Sequence, residues 1–265
     1  MPRWSRMMCG RCMRQEVSRR GFCRAVAGTA AGLSLRPIAH ATEHDAPVEP
    51  RIRLADTPAD QRVVALTLDC CPGAFDARIT NVLIAQRVPA TIFVTSLWIH
   101  RNPEGLALLL AYPDLFVLEN HGELHIPPVL GDRTIFGIRA AGDLPTIRRE
   151  IDDGAQAIRT ATGATPRWYR AATGFYTPSV IPQIQSMGFA IAGYSLSADL
   201  GASLPASRVA ARMANARSGD VIVAHLNQPL RPSGQGVADG LRELQRQGAN
   251  FVRLDQVATT SPTFA

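Results

Sequence analysis

From Arg62 onward, short apolar runs alternate with longer segments of helical periodicity, and this alternation constrains the fold more than any other feature of the chain. Val63–Leu68 reads as a buried strand and Asp76–Arg87 as the helix that follows it. Thr91–Val94, β-branched and aromatic, predicts a second strand, followed by a helical Glu104–Ala111, and Leu115–Leu118 predicts a third. Leu144–Thr162 has helical periodicity, with Asp143 placed to cap it and Gly163 to stop it. Arg167–Tyr169, Phe189–Ala192, Val221–Ala224 and Phe251–Leu254 complete the strands, with helices over Pro178–Met187, Ala206–Ala216 and Val237–Gln247. Alternating β and α elements require a parallel sheet covered by helices. About seven such units predict an α/β fold that closes or nearly closes, a distorted (β/α) barrel of about seven parallel strands and not an open sheet. In barrels of this kind the chemistry sits at the carboxyl ends of the strands. Asp69, the pair His121 and His125, Arg170, Asp199 and His225 each fall just after a predicted strand.

The residues before Arg62 read differently. Ser18-Arg19-Arg20-Gly21-Phe22-Cys23-Arg24 leads into a weakly apolar run, Ala25–Leu35, which ends in the A-x-A pattern Ala39-His40-Ala41. About eleven apolar residues are too few to span a bilayer as a helix, so no stable membrane insertion is expected. Residues 1–41 resemble a bacterial twin-arginine (Tat) signal, which implies the Tat translocase as a partner and a periplasmic or exported destination. Residues 42–61, with Pro47, Pro50 and Pro58 among charges, read as a linker or wrapping arm, and residues 62–258 as the main domain. The chain carries 28 basic and 22 acidic side chains, but eight arginines and one glutamate lie in residues 1–41. What remains is close to neutral, which argues against a nucleic-acid partner. Past residue 41 the only cysteines are the neighbours Cys70 and Cys71, which excludes a disulfide framework.

His121-Gly-Glu-Leu-His125 is the densest chemical signal. Imidazoles four residues apart lie one above the other on a helical turn and can converge on one ion, with a third ligand still to be supplied. The alternative is a pair of surface histidines on a turn.

Five segments, in this order, resemble the polysaccharide deacetylase (NodB-homology) family, carbohydrate esterase family 4. They are Ala65–Pro72, Asn120–His125, Tyr169–Gly174, Ser197–Asp199 and Val223–Leu226, and the resemblance runs from about Val63 to Leu254. It implies a metal-dependent hydrolase that removes acetyl groups from N-acetylhexosamine units of a polysaccharide such as peptidoglycan, a chitin-like polymer or an exopolysaccharide. The implied metal is zinc, with cobalt, manganese, nickel or iron as alternatives, bound by His121 and His125. Asp69 is implied as general base, Arg170 as its ion-pair partner, His225 as general acid and Asp199 as the carboxylate that holds His225. The backbone at Thr173 is implied as an oxyanion contact, with Gly174 allowing close approach.

The first segment departs from the family's Asp-Asp-Gly-Pro. Cys70 stands in place of the second carboxylate, usually a metal ligand, and Cys71 in place of glycine. Three completions of the site follow: Asp69 as ligand or as base close to the metal, which is favoured; Cys70 as a thiolate ligand, ranked second; or both cysteines as small buried fillers. Ala171 and Ala172 replace the usual prolines and Leu200 a usual tryptophan, which leaves Leu226, Tyr176 and Tyr194 as candidates for the apolar wall around the acetyl methyl. Two further function classes stay open: a carbohydrate-binding pseudoenzyme on the same barrel, and a hydrolase of a small non-peptide amide.

Overall fold

In β2 (Arg62–Cys70) apolar residues occupy both faces, as a strand covered on two sides requires. The computed structural model describes residues 46–265. The twin-arginine segment and its cleavage pattern lie outside the described residues.

The elements in chain order are β1 (Pro50–Arg51), β2, α1 (Ala77–Ala85), β3 (Ala90–Val94), α2 (Ser96–Arg101), α3 (Pro103–Leu110) and β4 (Phe116–Asn120). A hairpin of β5 (Thr134–Ile135) and β6 (Ile138–Arg139) then precedes α4 (Leu144–Thr162). The second half holds β7 (Trp168–Tyr169), α5 (Ile181–Ser186), β8 (Ala190–Ile191), β9 (Leu196–Ser197), α6 (Ala206–Ala214), β10 (Val221–His225), α7 (Ser233–Arg246), β11 (Ala249–Val252) and β12 (Thr263–Phe264). Seven parallel strands run in the order β8-β7-β4-β3-β2-β10-β9, and β11 adds an eighth beside the first half of β2. The sheet has the seven parallel strands of the distorted barrel expected, curled into a half-barrel. Its path stays open, because β8 and β9 are its two ends and do not pair.

Each layer follows from side-chain parity. Val64, Leu66, Leu68 and Cys70 of β2 pack with Ile222, Ala224 and Leu226 of and after β10 against the helices. Val63, Ala65 and Val221 point the other way, into the interior, where Phe93 joins them. Thr67 and Asp69 share that interior parity.

α4 begins and ends where its signals place it. The Asp143 side chain accepts from the Thr146 N–H, and Gly163 closes the helix at φ 72°. The predicted arm is packed along its described part. Pro50 and Arg51 pair with Thr263 and Phe264, and Ile52 and Leu54 are buried with Ala192 and Leu254. The Pro50 carbonyl presses on Gly193, where a Cβ would sit 2.3 Å from that oxygen. No helix among the described residues is long and apolar enough to cross a membrane.

If the arm is part of the folding unit, Ile52→Ala should cost about 2–5 kcal/mol in urea-induced unfolding, as deletion of a buried side chain does. A change within about 0.5 kcal/mol, the range for surface sites, would contradict this packing.

Candidate active site and metal centre

The mouth of the half-barrel opens on a cavity of about 1140 Å³, lined among others by Asp69, Cys71, His121, His125, Arg170 and His225. These six side chains come from the ends of different strands or the loops just beyond them, as the barrel geometry dictates.

Arg170 follows β7 and is almost fully buried. Its Nη1 donates to Asp69 Oδ1 and to Thr67 Oγ1, both at 2.8 Å, and its Nη2 donates to the Gly193 carbonyl at 3.0 Å. The guanidinium also lies over the Phe93 ring, 4.2 Å from its centroid. Burial alone would push the Asp69 carboxyl up, but Arg170, His121 and His225 together hold it below the ordinary carboxylate range. Asp69 is therefore an anion at neutral pH.

His225 closes β10 and is the direct cross-strand partner of Asp69 in the parallel pair. Asp199, wholly buried after β9, holds it twice: Oδ2 accepts the His225 backbone N–H at 2.8 Å, and Oδ1 faces the ring Nδ1 at 2.9 Å. Burial would lower the imidazole pKa, but the Asp199 carboxylate first and Cys71 after it outweigh burial and raise His225 well above its ordinary value. Adjacent strands thus present an ionised carboxylate and an imidazolium side by side, the division of labour that acid–base catalysis needs.

His121 and His125 do converge, though not on a helix. The segment after β4 is a loop, with Gly122 at φ 89° and His125 at φ 68°. The His121 Nδ1 faces the Arg170 carbonyl at 2.8 Å. A carbonyl only accepts, so Nδ1 carries the proton and the Nε2 lone pair is left for the cavity. The loop is shaped by a residue that the sequence reading did not single out. Glu150 of α4, itself buried, accepts the backbone N–H groups of Leu124 and Ile126 at 3.0 Å. Gly122 is required there, since a Cβ would meet Glu150 Oε1 at 2.3 Å.

The third member of the cluster is Cys71. Its Sγ lies 3.4 Å from His121 Nε2, and the ligand atoms of Cys71, His121 and His125 all fall within 4.8 Å of one another. The cluster differs from the two ranked expectations for a third ligand, Asp69 and Cys70, while Asp69 keeps its place beside it as the candidate base. Cys70 is fully buried on the helix side of β2, and Asp69 is engaged by Arg170. The physical reason is the two-residue period of a strand: Cys70 shares parity with Leu68, whereas Cys71 shares it with Asp69. Burial and the neighbouring Cys71 and Asp69 push the Cys70 thiol well up, while for Cys71 the two histidines outweigh burial and bring it well below the ordinary thiol range. One thiolate and two imidazoles fit a divalent ion of zinc type, with a position left open for substrate. The proton that His121 gives the Arg170 carbonyl is the outer support such ligands carry.

The remaining expectations divide. Thr173 and Gly174 line the cavity in consecutive left-handed conformations, and the buried Thr173 hydroxyl has no partner among the described residues. Of the candidates for the apolar wall, Tyr194 lines the cavity, as does Leu200. Leu226 is buried on the helix side by the same parity that turns Cys70 away, and Tyr176 is buried beneath the site, where its hydroxyl accepts the Ala171 N–H at 2.8 Å.

Fold and site together define an α/β barrel protein with a hydrolytic type of constellation at its strand ends. The chain belongs to the polysaccharide deacetylase family, whose model matches residues 56–192, just over half of it. Asp199 and His225 lie beyond that match and are brought to the site by the fold. Solved structures agree on the architecture. The peptidoglycan deacetylase PdaC from Bacillus subtilis superposes with a TM-score of 0.61 at 22% identity, over 76% of this chain and 91% of that one. A peptidoglycan N-acetylglucosamine deacetylase gives 0.63 at 20% identity, over 76% and 89%. A CE4 family pseudoenzyme from Bacillus anthracis gives 0.58 at 18% identity, over 76% of this chain and 66% of that one.

Elemental analysis after zinc loading separates the two cysteines. One ion per chain is expected in the parent protein and in Cys70→Ala, and affinity weakened more than about tenfold in Cys71→Ser. Retention of full affinity by Cys71→Ser, or its loss in Cys70→Ala, would contradict the assignment.

Proposed function

We propose that the protein is a metal-dependent hydrolase that removes N-acetyl groups from hexosamine units of a polysaccharide. The observation that carries this reading is the cross-strand pair of Asp69 and His225 beside the Cys71, His121 and His125 cluster on one cavity. A divalent ion of zinc type held by those three side chains would supply Lewis acidity at the acetyl carbonyl.

The rest is the work of the chain's own groups. Asp69 Oδ1 is occupied by Arg170, so Oδ2 accepts the proton of the attacking water. The pairing with Arg170 keeps that carboxylate ionised while it waits. His225, its Nδ1 turned to Asp199, delivers a proton from Nε2 to the departing amine. The Thr173 hydroxyl, without a partner among the described residues, and the adjoining backbone, freed by Gly174 at φ 80°, hold the acetyl oxygen as charge develops on it.

Export by the Tat route fits this reading, because peptidoglycan or an exopolysaccharide is reached from the periplasm. It rests on Arg19, Arg20 and the Ala39-His40-Ala41 pattern. A second reading, glycan binding without turnover, draws on the absence of the second carboxylate and on the pseudoenzyme among the structural neighbours.

Acetate release separates the two. Zinc-loaded protein incubated with N-acetylglucosamine oligomers and peptidoglycan fragments should release acetate, and chelation should abolish it. Asp69→Asn should lower kcat by at least about a hundredfold. The rate requires Asp69 without its proton and His225 with one. It is therefore lost on the acid side as Asp69 protonates and on the alkaline side as His225 deprotonates. Asp199→Asn removes the charge that raises His225, so the alkaline fall should move to lower pH. Release from no glycan with zinc bound would overturn the catalytic reading in favour of binding alone.

A further inference from the structure

The chemistry above explains the floor of the cavity but not its rim. Among the described residues, six that are not glycine adopt positive φ: Arg87, His125, Phe136, Thr173, Leu200 and Ala202. Four of them, His125, Phe136, Thr173 and Leu200, line this one cavity. A bulky side chain at positive φ costs on the order of 1–3 kcal/mol, and such strain gathers where function requires a particular shape. His125 and Thr173 belong to the site already described. Phe136 and Leu200 do not, and they are 79% and 50% exposed, so burial does not offset their strain. Neither side chain finds its reason in the core, and both face the cavity of the candidate active site.

Phe136 is the more informative of the two. With Gly137 it forms the two-residue turn between β5 and β6, at φ 49° and 81°, a type I′ geometry in which asparagine or glycine is the usual first residue. The hairpin is no loose loop. It stands on a stem in which Ala140 N–H bonds the Arg133 carbonyl at 2.9 Å and Gly142 N–H the Val129 carbonyl at 3.0 Å. Thr177 pins the base: its hydroxyl accepts the Leu130 N–H at 2.9 Å, and its own N–H reaches the Pro128 carbonyl at 3.2 Å. The Phe136 ring then meets Phe175 edge-on, centroids 5.7 Å apart and planes at 68°. Phe175 directly follows Gly174, so this aromatic corner adjoins the segment that would hold the acetyl oxygen.

Chemistry selects the occupant. A pyranose ring offers an apolar C–H face to an aromatic ring and hydroxyls to polar neighbours. The lining of the same cavity includes Asn227, Gln228 and Ser197 as well as Phe136 and Phe175. Its volume of about 1140 Å³ exceeds the roughly 300–1000 Å³ of a pocket for one small ligand, which leaves room for more than one sugar.

We propose that Phe136 and Phe175 form a stacking subsite for the sugar ring next to the reacting N-acetylhexosamine, so that the protein selects an oligomeric glycan over a monosaccharide or a small amide. The identity of the reacting sugar rests on the function proposed above, but the subsite is tested by binding alone.

The test uses zinc-loaded protein titrated calorimetrically with the N-acetylglucosamine pentamer and with the monosaccharide. Phe136→Gly removes the ring and relieves the strained turn, so thermal stability should hold or rise and zinc content should stay the same. Its affinity for the pentamer should fall about tenfold, the worth of one aromatic contact, while the monosaccharide changes less than about twofold. Phe136→Trp should restore pentamer affinity. Unchanged pentamer affinity in Phe136→Gly, an equal loss for both ligands, or no pentamer binding by the parent protein would each overturn the subsite. Selective loss of pentamer binding in a protein that releases no acetate would leave the subsite standing and sink the deacetylase reading instead.

Discussion

The structure depends on one buried guanidinium. Removing an arginine from water costs several kcal/mol unless its donors and its charge are met. Arg170 meets them through Thr67, Asp69 and the carbonyls of Ala192 and Gly193, with the face of Phe93 beneath it. Its main chain is equally engaged, the N–H with the Asn120 carbonyl and the C=O with the His121 ring. A single residue therefore ties together the ends of β2, β4 and β8 and the ring of β3, on the side of an open sheet that no β8–β9 pairing closes. The Arg170 guanidinium keeps Asp69 ionised and the Arg170 carbonyl fixes the tautomer of His121, so one residue sets both groups through two different contacts.

What could be read from the sequence followed from local chemistry. The bounds of α4 lie in Asp143 and Gly163, and the positions of the long strands along the chain lie in their apolar runs. Of the seven two-residue strands among the described residues, β7 and β8 lie in the predicted runs Arg167–Tyr169 and Phe189–Ala192, whereas β1, β5, β6, β9 and β12 lie in none, since two residues are too few for a period to show. The pairing of β1 with β12 joins residues more than two hundred positions apart, which no local pattern encodes. The His121–His125 spacing suggested a helical turn, yet Gly122 permits a loop that Glu150 gathers from another element altogether. Such convergence is a tertiary fact.

The cysteine pair is where the structure departs from the motif-based expectation, and the reason is legible in the sequence. Matching Asp69-Cys70 to the family's paired carboxylates put Cys70 in the ligand's place. Alternation along β2 puts Cys70 with Val64, Leu66 and Leu68 and leaves Asp69 and Cys71 on the other side. Strand parity outweighs position in a motif once the residue type has changed. A thiolate in that position also changes the character of the site, since sulfur favours zinc over the harder divalent ions.

The most direct measurement is X-ray absorption at the zinc edge of the loaded full-length protein. A coordination shell with one sulfur and two imidazole nitrogens is the expected result, with the sulfur lost in Cys71→Ser and the shell unchanged in Cys70→Ala. A shell of nitrogen and oxygen alone in the parent protein would contradict the Cys71, His121 and His125 centre and return Asp69 to the metal.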